Sequence, residues 1–426
     1  MNHFYKWSNF FVYRFDFQFG FNENLQNYSY QYIIKYTKTF EHLPMIKNII
    51  FQKFEVLWEY PVCFTQNVFD AENRVFVETI SHKEPEKKHR LLFVIDDHVA
   101  QAHFRLEEQI LQYVSRHCDQ LELTAPILLI PGGEAAKNKH SLIDDLHNQI
   151  HALGLCRQSF LVAIGGGAVL DMAGFACATP HRGLRLIRIP TTVLSQNDSG
   201  VGVKNSINAF GKKNFLGTFA PPFAVINDSD FLLTLTRRDW LSGVAEAIKV
   251  ALLKSPDFFL YLQQNADSLL ARDISTMKEV VYCCADLHLK HIRTAGDPFE
   301  FGHSRPLDFG HWAAHKLESL SSYRLRHGEA VASGIALDIC YSVSKGFLAA
   351  EEGKKILRLL KKLEFQLYQT EMEQEIFWDG LAEFREHLGG VLCIPLLAGI
   401  GLPIEAREMD IKQIQEAIFT LKTQNL

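Results

Sequence analysis

Over the first half of the chain, short apolar runs alternate with amphipathic stretches. In the second half, amphipathic stretches dominate. Residues 53–80 alternate apolar and polar positions around Asp70-Ala71-Glu72-Asn73, which predicts a strand, a turn, and then a strand or helix. Residues 90–99 (RLLFVIDDHV) read as a buried strand closing on two acids, with a helix from about 100 to 118. A strand at 127–130 is closed by PGGEAAKN, and a helix follows over 138–153. The strand at 160–164 runs straight into Gly165-Gly166-Gly167. After Asp228 the apolar spacing turns helical over 239–254, 257–270, 274–293, 308–320, 328–346, 350–362 and 371–386.

Strands alternating with helices of this length predict βαβ units and a parallel sheet. The expected fold class is therefore α/β. It has a doubly wound, mostly parallel nucleotide-binding domain over 45–229 and an all-helical metal-binding domain over 230–426, with the ligand site in the cleft between them. Residues 1–44 stand apart, crowded with Phe and Tyr among Asn, Gln and charges. They read either as an aromatic arm or as upstream sequence ahead of a true start at Met45. The second reading is preferred because the regular pattern begins only after Met45.

Composition narrows the function classes. The 426 residues suit two domains, and 47% hydrophobic with 22% charged residues is ordinary for a globular protein. A formal charge of −5 argues against a nucleic-acid-binding protein. No apolar run reaches the roughly 18 residues of a membrane span. The eight cysteines, at 63, 118, 156, 177, 283, 284, 340 and 393, form no C-x-x-C pair. Reduced thiols in a cytoplasm are the expectation.

Five stretches carry candidate chemistry. In FLVAIGGGAVLDMAGFA, a strand, three glycines and a helix start make a phosphate cradle or only a tight strand–helix turn, with Asp171 one turn in. In RIPTTVLSQNDSGVGVK, a strand ends at Pro190, and Thr191, Thr192, Asp198 and Lys204 lie in a small-residue loop. Gly211-Lys212-Lys213-Asn214 adds cations suited to a phosphorylated substrate. SGVAEAIKVALL sets Glu246 and Lys249 three apart in an apolar helix, an ordinary ion pair or a buried metal ligand with its neighbour. Residues 303–329 hold His303, His311, His315 and His327; the i,i+4 pair shares one helix face, as solvated side chains or as ligands. Together Glu246, His311 and His327 form a one-carboxylate, two-imidazole set that suits catalytic zinc.

In order and spacing, residues 90–345 resemble the 3-dehydroquinate synthase family of sugar phosphate cyclases. PGGEAAKN resembles its P-x-G-E-x-x-K-S segment, which implies Glu134 and Lys137 near the cofactor ribose. GGGAVLD implies Gly166, Gly167 and Asp171 at a pyrophosphate. IPTTVLSQNDSGVGVK resembles PTTLLAQVDSSVGGK, which implies Thr191 and Thr192 for NAD, Asp198 beside the nicotinamide and Lys204 at the substrate. The resemblance also implies Asp96 and Thr234 at the cofactor. GVAEAIK implies Glu246 as metal ligand and Lys249 as substrate contact. DFGHWAAHKLE with RHGEAVASG resembles N-x-G-H-T-x-G-H-x-x-E with HGEAVAxG; it implies ligands His311 and His327 and substrate contact His315. Lys290, Asn214, Arg305 and Asp308 join the substrate contacts. Arg182 matches an arginine that reaches across a dimer interface to the substrate phosphate. The HWAAHKLE and EFREHLGG stretches also resemble a divergent subgroup from Ebo-type biosynthetic clusters.

The resemblance implies a cytoplasmic, homodimeric lyase using NAD and a divalent metal, zinc or cobalt. It would eliminate phosphate from a seven-carbon sugar phosphate and close a carbocycle, as a 3-dehydroquinate synthase or a cyclase using sedoheptulose 7-phosphate. A polyol dehydrogenase of the glycerol dehydrogenase type and a non-catalytic cyclase relative are the rival readings. The departures fall at the substrate: Asp308 replaces an asparagine, Ser304 an arginine, with Arg305 one place late, and the C-terminal D-K-K element is missing. An aspartate at 308 repels a nearby anion unless it is protonated or paired with Arg305.

Overall fold

A computed structural model describes residues 52–302 and 305–423. The expectations for residues 1–44, His303 and Ser304 fall outside the described residues. Strands β1 (Val62–Thr65), β2 (His89–Asp96), β3 (Leu121–Leu123), β4 (Leu128–Ile130), β5 (Phe160–Gly165), β6 (Arg185–Pro190) and β9 (Ala224–Asp228) form one sheet, ordered β1-β9-β6-β5-β2-β3, with β4 on the far end of β2. Every pairing in it is parallel.

The central strands show why the sheet forms. In β2, Leu91, Phe93 and Ile95 enter one apolar cluster while Leu92 and Val94 enter the opposite one. In β5, Phe160, Val162 and Ile164 face the first cluster and Leu161 and Ala163 the second. Both faces are covered, so these strands read as continuous apolar runs, not as alternating ones. The covering helices are α1 (Val75–Ser81), α2 (Asp97–Ala102), α3 (Leu106–Arg116), α4 (Glu134–Asn138), α5 (Ser141–Ala152) and α6 (Gly167–Ala178).

The chain leaves β2 toward β3 on one side and leaves β5 toward β6 on the other. That reversal makes a switch point at the carboxyl ends of β2 and β5, where open α/β sheets bind ligands. Asp96 ends β2 and the Gly165–Gly167 turn ends β5, so both flank the crevice.

Beyond β9 come α7 (Arg237–Lys254), α8 (Pro256–Gln264), α9 (Ala266–Leu270), α10 (Ile274–Thr294), α11 (His311–Leu320), α12 (His327–Ser344), α13 (Ala350–Lys362), α14 (Asp379–His387) and α15 (Ile411–Thr423). They share one apolar core. This part is helical except for one antiparallel hairpin, β10 (Ile394–Gly399) with β11 (Leu402–Ala406), which corrects the expectation of an all-helical region. A second hairpin, β7 (Lys204–Ala209) with β8 (Lys212–Phe219), replaces the loop expected there. Trp58–Leu426 forms one compact unit. No described helix is long and apolar enough to cross a membrane.

Candidate active site

Three helices converge on Glu246. Helix α7 is started by Thr236, whose side chain accepts from the Asp239 amide, and it carries Glu246 fully buried at its middle. Helix α12 crosses α7 at Gly328, where an added methyl would overlap the Ser242 carbonyl. This close approach sets His327 Nε2 3.2 Å from Glu246 Oε1. Helix α11 opens at His311, whose Nε2 lies 3.6 Å from the same oxygen. The ligand atoms of Glu246, His311 and His327 lie within 4.8 Å of one another.

Each imidazole has its other nitrogen engaged. His311 Nδ1 lies 3.1 Å from the Phe309 carbonyl, and His327 Nδ1 lies 3.0 Å from Glu318 Oε2. Such outer contacts fix which ring nitrogen faces a metal. Lys249 Nζ stands 2.6 Å from Glu246 Oε2, yet neither Glu246 oxygen receives an aligned hydrogen bond. A fully buried carboxylate short of donors, facing two free imidazole nitrogens, fits a divalent cation.

The local charges set one another's protonation. Burial raises the Glu246 carboxyl, but Lys249, His311 and His327 together outweigh it and hold the group at about 2. Burial, reinforced by Lys249, pushes His311 down to about 4. Burial lowers His315 to about 3. His327 goes the other way: burial opposes its charge, but Glu318 and the contact with Glu246 lift it to about 10. The low basicity of His311 leaves its ring neutral at pH 7, the form that ligates a metal.

The nucleotide side is built at the switch point. Gly166 precedes α6 without a side-chain cap, which leaves the first amides of that helix open to an anion. A methyl on Gly167 would meet Ser199 Oγ, so only glycine leaves the cradle clear. Thr191 Oγ1 is buried without a partner, and Thr192 Oγ1 lies 2.8 Å from Ser195 Oγ. An open helix start with an unpartnered hydroxyl beside it fits a pyrophosphate.

The segment after β6 joins the two sites. Ser199 abuts the glycine turn, while Asn197 Nδ2 donates to the Gly243 carbonyl of α7 at 2.9 Å. Residues Ser195–Ser199 form a short π-helical turn rather than the loop expected. Asp198 there lies 2.7 Å from His288 Nδ1 of α10. Burial raises its carboxyl, but Lys249 and His288 hold it well below the ordinary range.

The remaining candidates fall into groups. Lys137 donates to Asp171 (2.6 Å), to Ser206 (3.0 Å) and to Asn214, so three expected site residues meet at the β7–β8 hairpin. Glu134 accepts from Asn208 at 2.6 Å. Asp96 accepts from the His98 amide, and Thr234 pairs with His103 at 2.8 Å. Lys204 and Arg305 both meet Glu300, at 2.7 and 3.1 Å. Arg305 therefore pairs with Glu300, where the sequence offered pairing with Asp308 as one of two alternatives. Asp308 contributes instead to holding Lys249 protonated. Lys290 is exposed on α10. Arg182 is exposed in a turn whose residues 181, 182 and 183 all have positive φ, 53°, 66° and 113°.

The chain matches the model of the 3-dehydroquinate synthase N-terminal region over residues 127–242 and that of the C-terminal region over 243–383. The chain belongs to the 3-dehydroquinate synthase family. The 3-dehydroquinate synthase of Acinetobacter baumannii (strain SDF) is 34% identical over 312 residues, 72% of this chain and 86% of the relative. The structure is similar to that of 2-epi-5-epi-valiolone synthase from Streptomyces hygroscopicus subsp. jinggangensis, solved with NAD+ and Zn2+ bound. The TM-score is 0.77 at 26% identity, covering 87% of this chain and 99% of that one. A 2-deoxy-scyllo-inosose synthase complexed with carbaglucose-6-phosphate, NAD+ and Co2+ shares the fold, at TM-score 0.68 and 21% identity over 84% and 95% of the two chains.

Sequence reasoning left several site residues without a role. Lys213 Nζ lies 2.8 Å from Glu318 Oε1 and 3.8 Å from Glu134, completing a line Glu134–Lys213–Glu318–His327–Glu246. Glu318 closes the H-x-x-E that begins at His315, so its motif was visible although its partner was not. His288, Glu300 and Asp338 carry no spacing signal.

Proposed function

We propose that the chain is an NAD- and divalent-metal-dependent sugar phosphate cyclase, a lyase acting on a seven-carbon sugar phosphate. The observation that carries this reading is the Thr191–Ser199 segment, which ties an open phosphate cradle to the Glu246–His311–His327 cluster. Bound NAD would supply a reversible hydride acceptor, and a zinc or cobalt ion would polarise the hydroxyls it holds. Glu246, His311 and His327 would hold the ion; Gly166, Gly167, Thr191 and Thr192 would take the cofactor phosphates, with Asp96, Glu134, Lys137, Asp171, Asp198 and Thr234 completing its site. Lys204, Lys249, Lys290, Asn214, Arg305, Asp308 and His315 would face the substrate. Lysines and an amide suit an anionic substrate. His315, held neutral, can accept a hydrogen bond from a substrate hydroxyl. A polyol dehydrogenase is disfavoured by the family membership and by this cation-rich pocket.

We take the substrate to lack a carboxylate, as sedoheptulose 7-phosphate does. Asp308 puts a negative charge beside Lys249, where the family motif has asparagine. Helix α14, in the region of the missing D-K-K element, brings acids: Glu383 pairs with Lys316 and Glu386 with Lys212, each at 2.7 Å. Purified protein with NAD and zinc is expected to release phosphate from sedoheptulose 7-phosphate and not from the 3-dehydroquinate precursor. Release from the precursor alone, or from neither, refutes this substrate.

A homodimer is supported by Arg182, exposed in a turn with positive φ at residues 181–183 and with no side-chain contact among those described. Light scattering should give twice the chain mass, and Arg182→Ala should raise KM while leaving zinc content unchanged. A monomer with full activity refutes it. Free thiols at all eight cysteines support a cytoplasmic setting.

A further inference from the structure

We propose that Asp338 is a positioning residue for the metal-ligating side chain of His311; the proposal rests on the metal site described above. Asp338 lies on α12, is fully buried, and meets no cation among its described partners. Its two oxygens are used separately. Oδ2 accepts from the Gly310 amide and Oδ1 from the Trp312 indole, both at 3.0 Å. These donors sit immediately before and after His311, so one carboxylate brackets the ligand from both sides.

The need for such a bracket follows from the local chain. His311 is the first residue of α11, and helix ends are where backbone bonds run short. Gly310, at φ 77°, offers no side chain to cap the helix. A methyl on Gly334 would overlap the Gly310 carbonyl, so α12 presses directly on this end of α11. Asp338, one turn further along α12, reaches across from another helix and accepts the amide of the residue that starts α11. The indole that completes the bracket stands at the threonine position of the family motif N-x-G-H-T-x-G-H. A ligand at a frayed helix end would sample several directions; this one is fixed toward Glu246.

Asp338→Asn keeps the shape but turns an amide N–H₂ toward one of the two N–H donors. It is expected to weaken zinc binding on the order of 10–100-fold. It should also change the visible absorption of the cobalt form, with NAD affinity unchanged. The double variant Asp338→Asn, Trp312→Phe removes the opposed donor and is expected to recover part of the zinc affinity. If Asp338→Asn does not fold, Trp312→Phe alone decides, with a smaller loss of zinc affinity and an altered cobalt spectrum expected. Wild-type zinc affinity and cobalt spectra in folded variants overturn the proposal. Wild-type protein that binds no zinc overturns the metal site itself, a distinguishable result.

Discussion

Replacing Glu246 with glutamine, or His311 with alanine, is expected to empty the metal site and to stop turnover together. Glu246 is the only carboxylate in the Glu246–His311–His327 cluster, and both its oxygens are buried without an aligned donor. The neutral amide of glutamine binds a divalent cation far less well than a carboxylate does. His311→Ala removes one of two imidazoles, leaving His327 and Glu246 to hold an ion that favours four ligands. The polarisation such an ion supplies amounts to several kcal/mol, so turnover should fall on the order of 1,000-fold or more. Metal content after dialysis, measured beside phosphate release, checks this. A metal-free variant with wild-type turnover refutes the assignment.

How much of this site was legible in the chain depends on what holds each part together. Where apolar burial holds it, the pattern is plain: β2 and β5 are continuous apolar runs because both faces are covered, and α7 and α12 carry small and apolar residues on nearly every side. Where polar contacts hold it, the pattern is silent. Strand β7 buries Asn205, Ser206 and Asn208, which read as loop residues; they are satisfied by Arg188, by Lys137 and by Glu134, partners far apart in sequence. The β10–β11 hairpin escaped because Pro395 and a glycine-rich turn break its strand signal.

The candidate metal ligands were visible as residue types at fixed spacing, since two imidazoles and a carboxylate in apolar helices carry their own chemistry. Their outer partners were not. Asp338 lies 27 residues after His311 by chain number, and nothing in ALDICYS marks it as more than a buried polar residue. The pairing of Arg305 with Glu300 instead of Asp308 is a choice between two nearby acids that only geometry settles. That choice bears on function, because Asp308 is left to act on Lys249, whose ammonium it helps to stabilise.

The second large effect concerns Lys249. Its ammonium is almost fully buried, 2.6 Å from Glu246 Oε2, and it also stabilises the charge of Asp198. Burial works against that ammonium, but Glu246, Asp198 and Asp308 together outweigh it and raise the group above its ordinary range. Lys249→Met keeps the stem and removes the charge. In metal-free protein this strands the buried Glu246 carboxylate, and breaking a buried ion pair costs about 3–5 kcal/mol. For a chain of this size that lowers Tm by roughly 4–6 °C. Saturating zinc should then stabilise the variant more than it stabilises the wild type. The ion finds a carboxylate no longer shared with a cation, and its binding adds to stability by mass action. Turnover should still fall, because the lysine expected at the substrate is gone. Thermal unfolding with and without zinc, read beside phosphate release, gives both quantities. A metal-free Lys249→Met protein as stable as wild type would show that Lys249 does not balance Glu246, and the charge arrangement proposed for the site would fail with it.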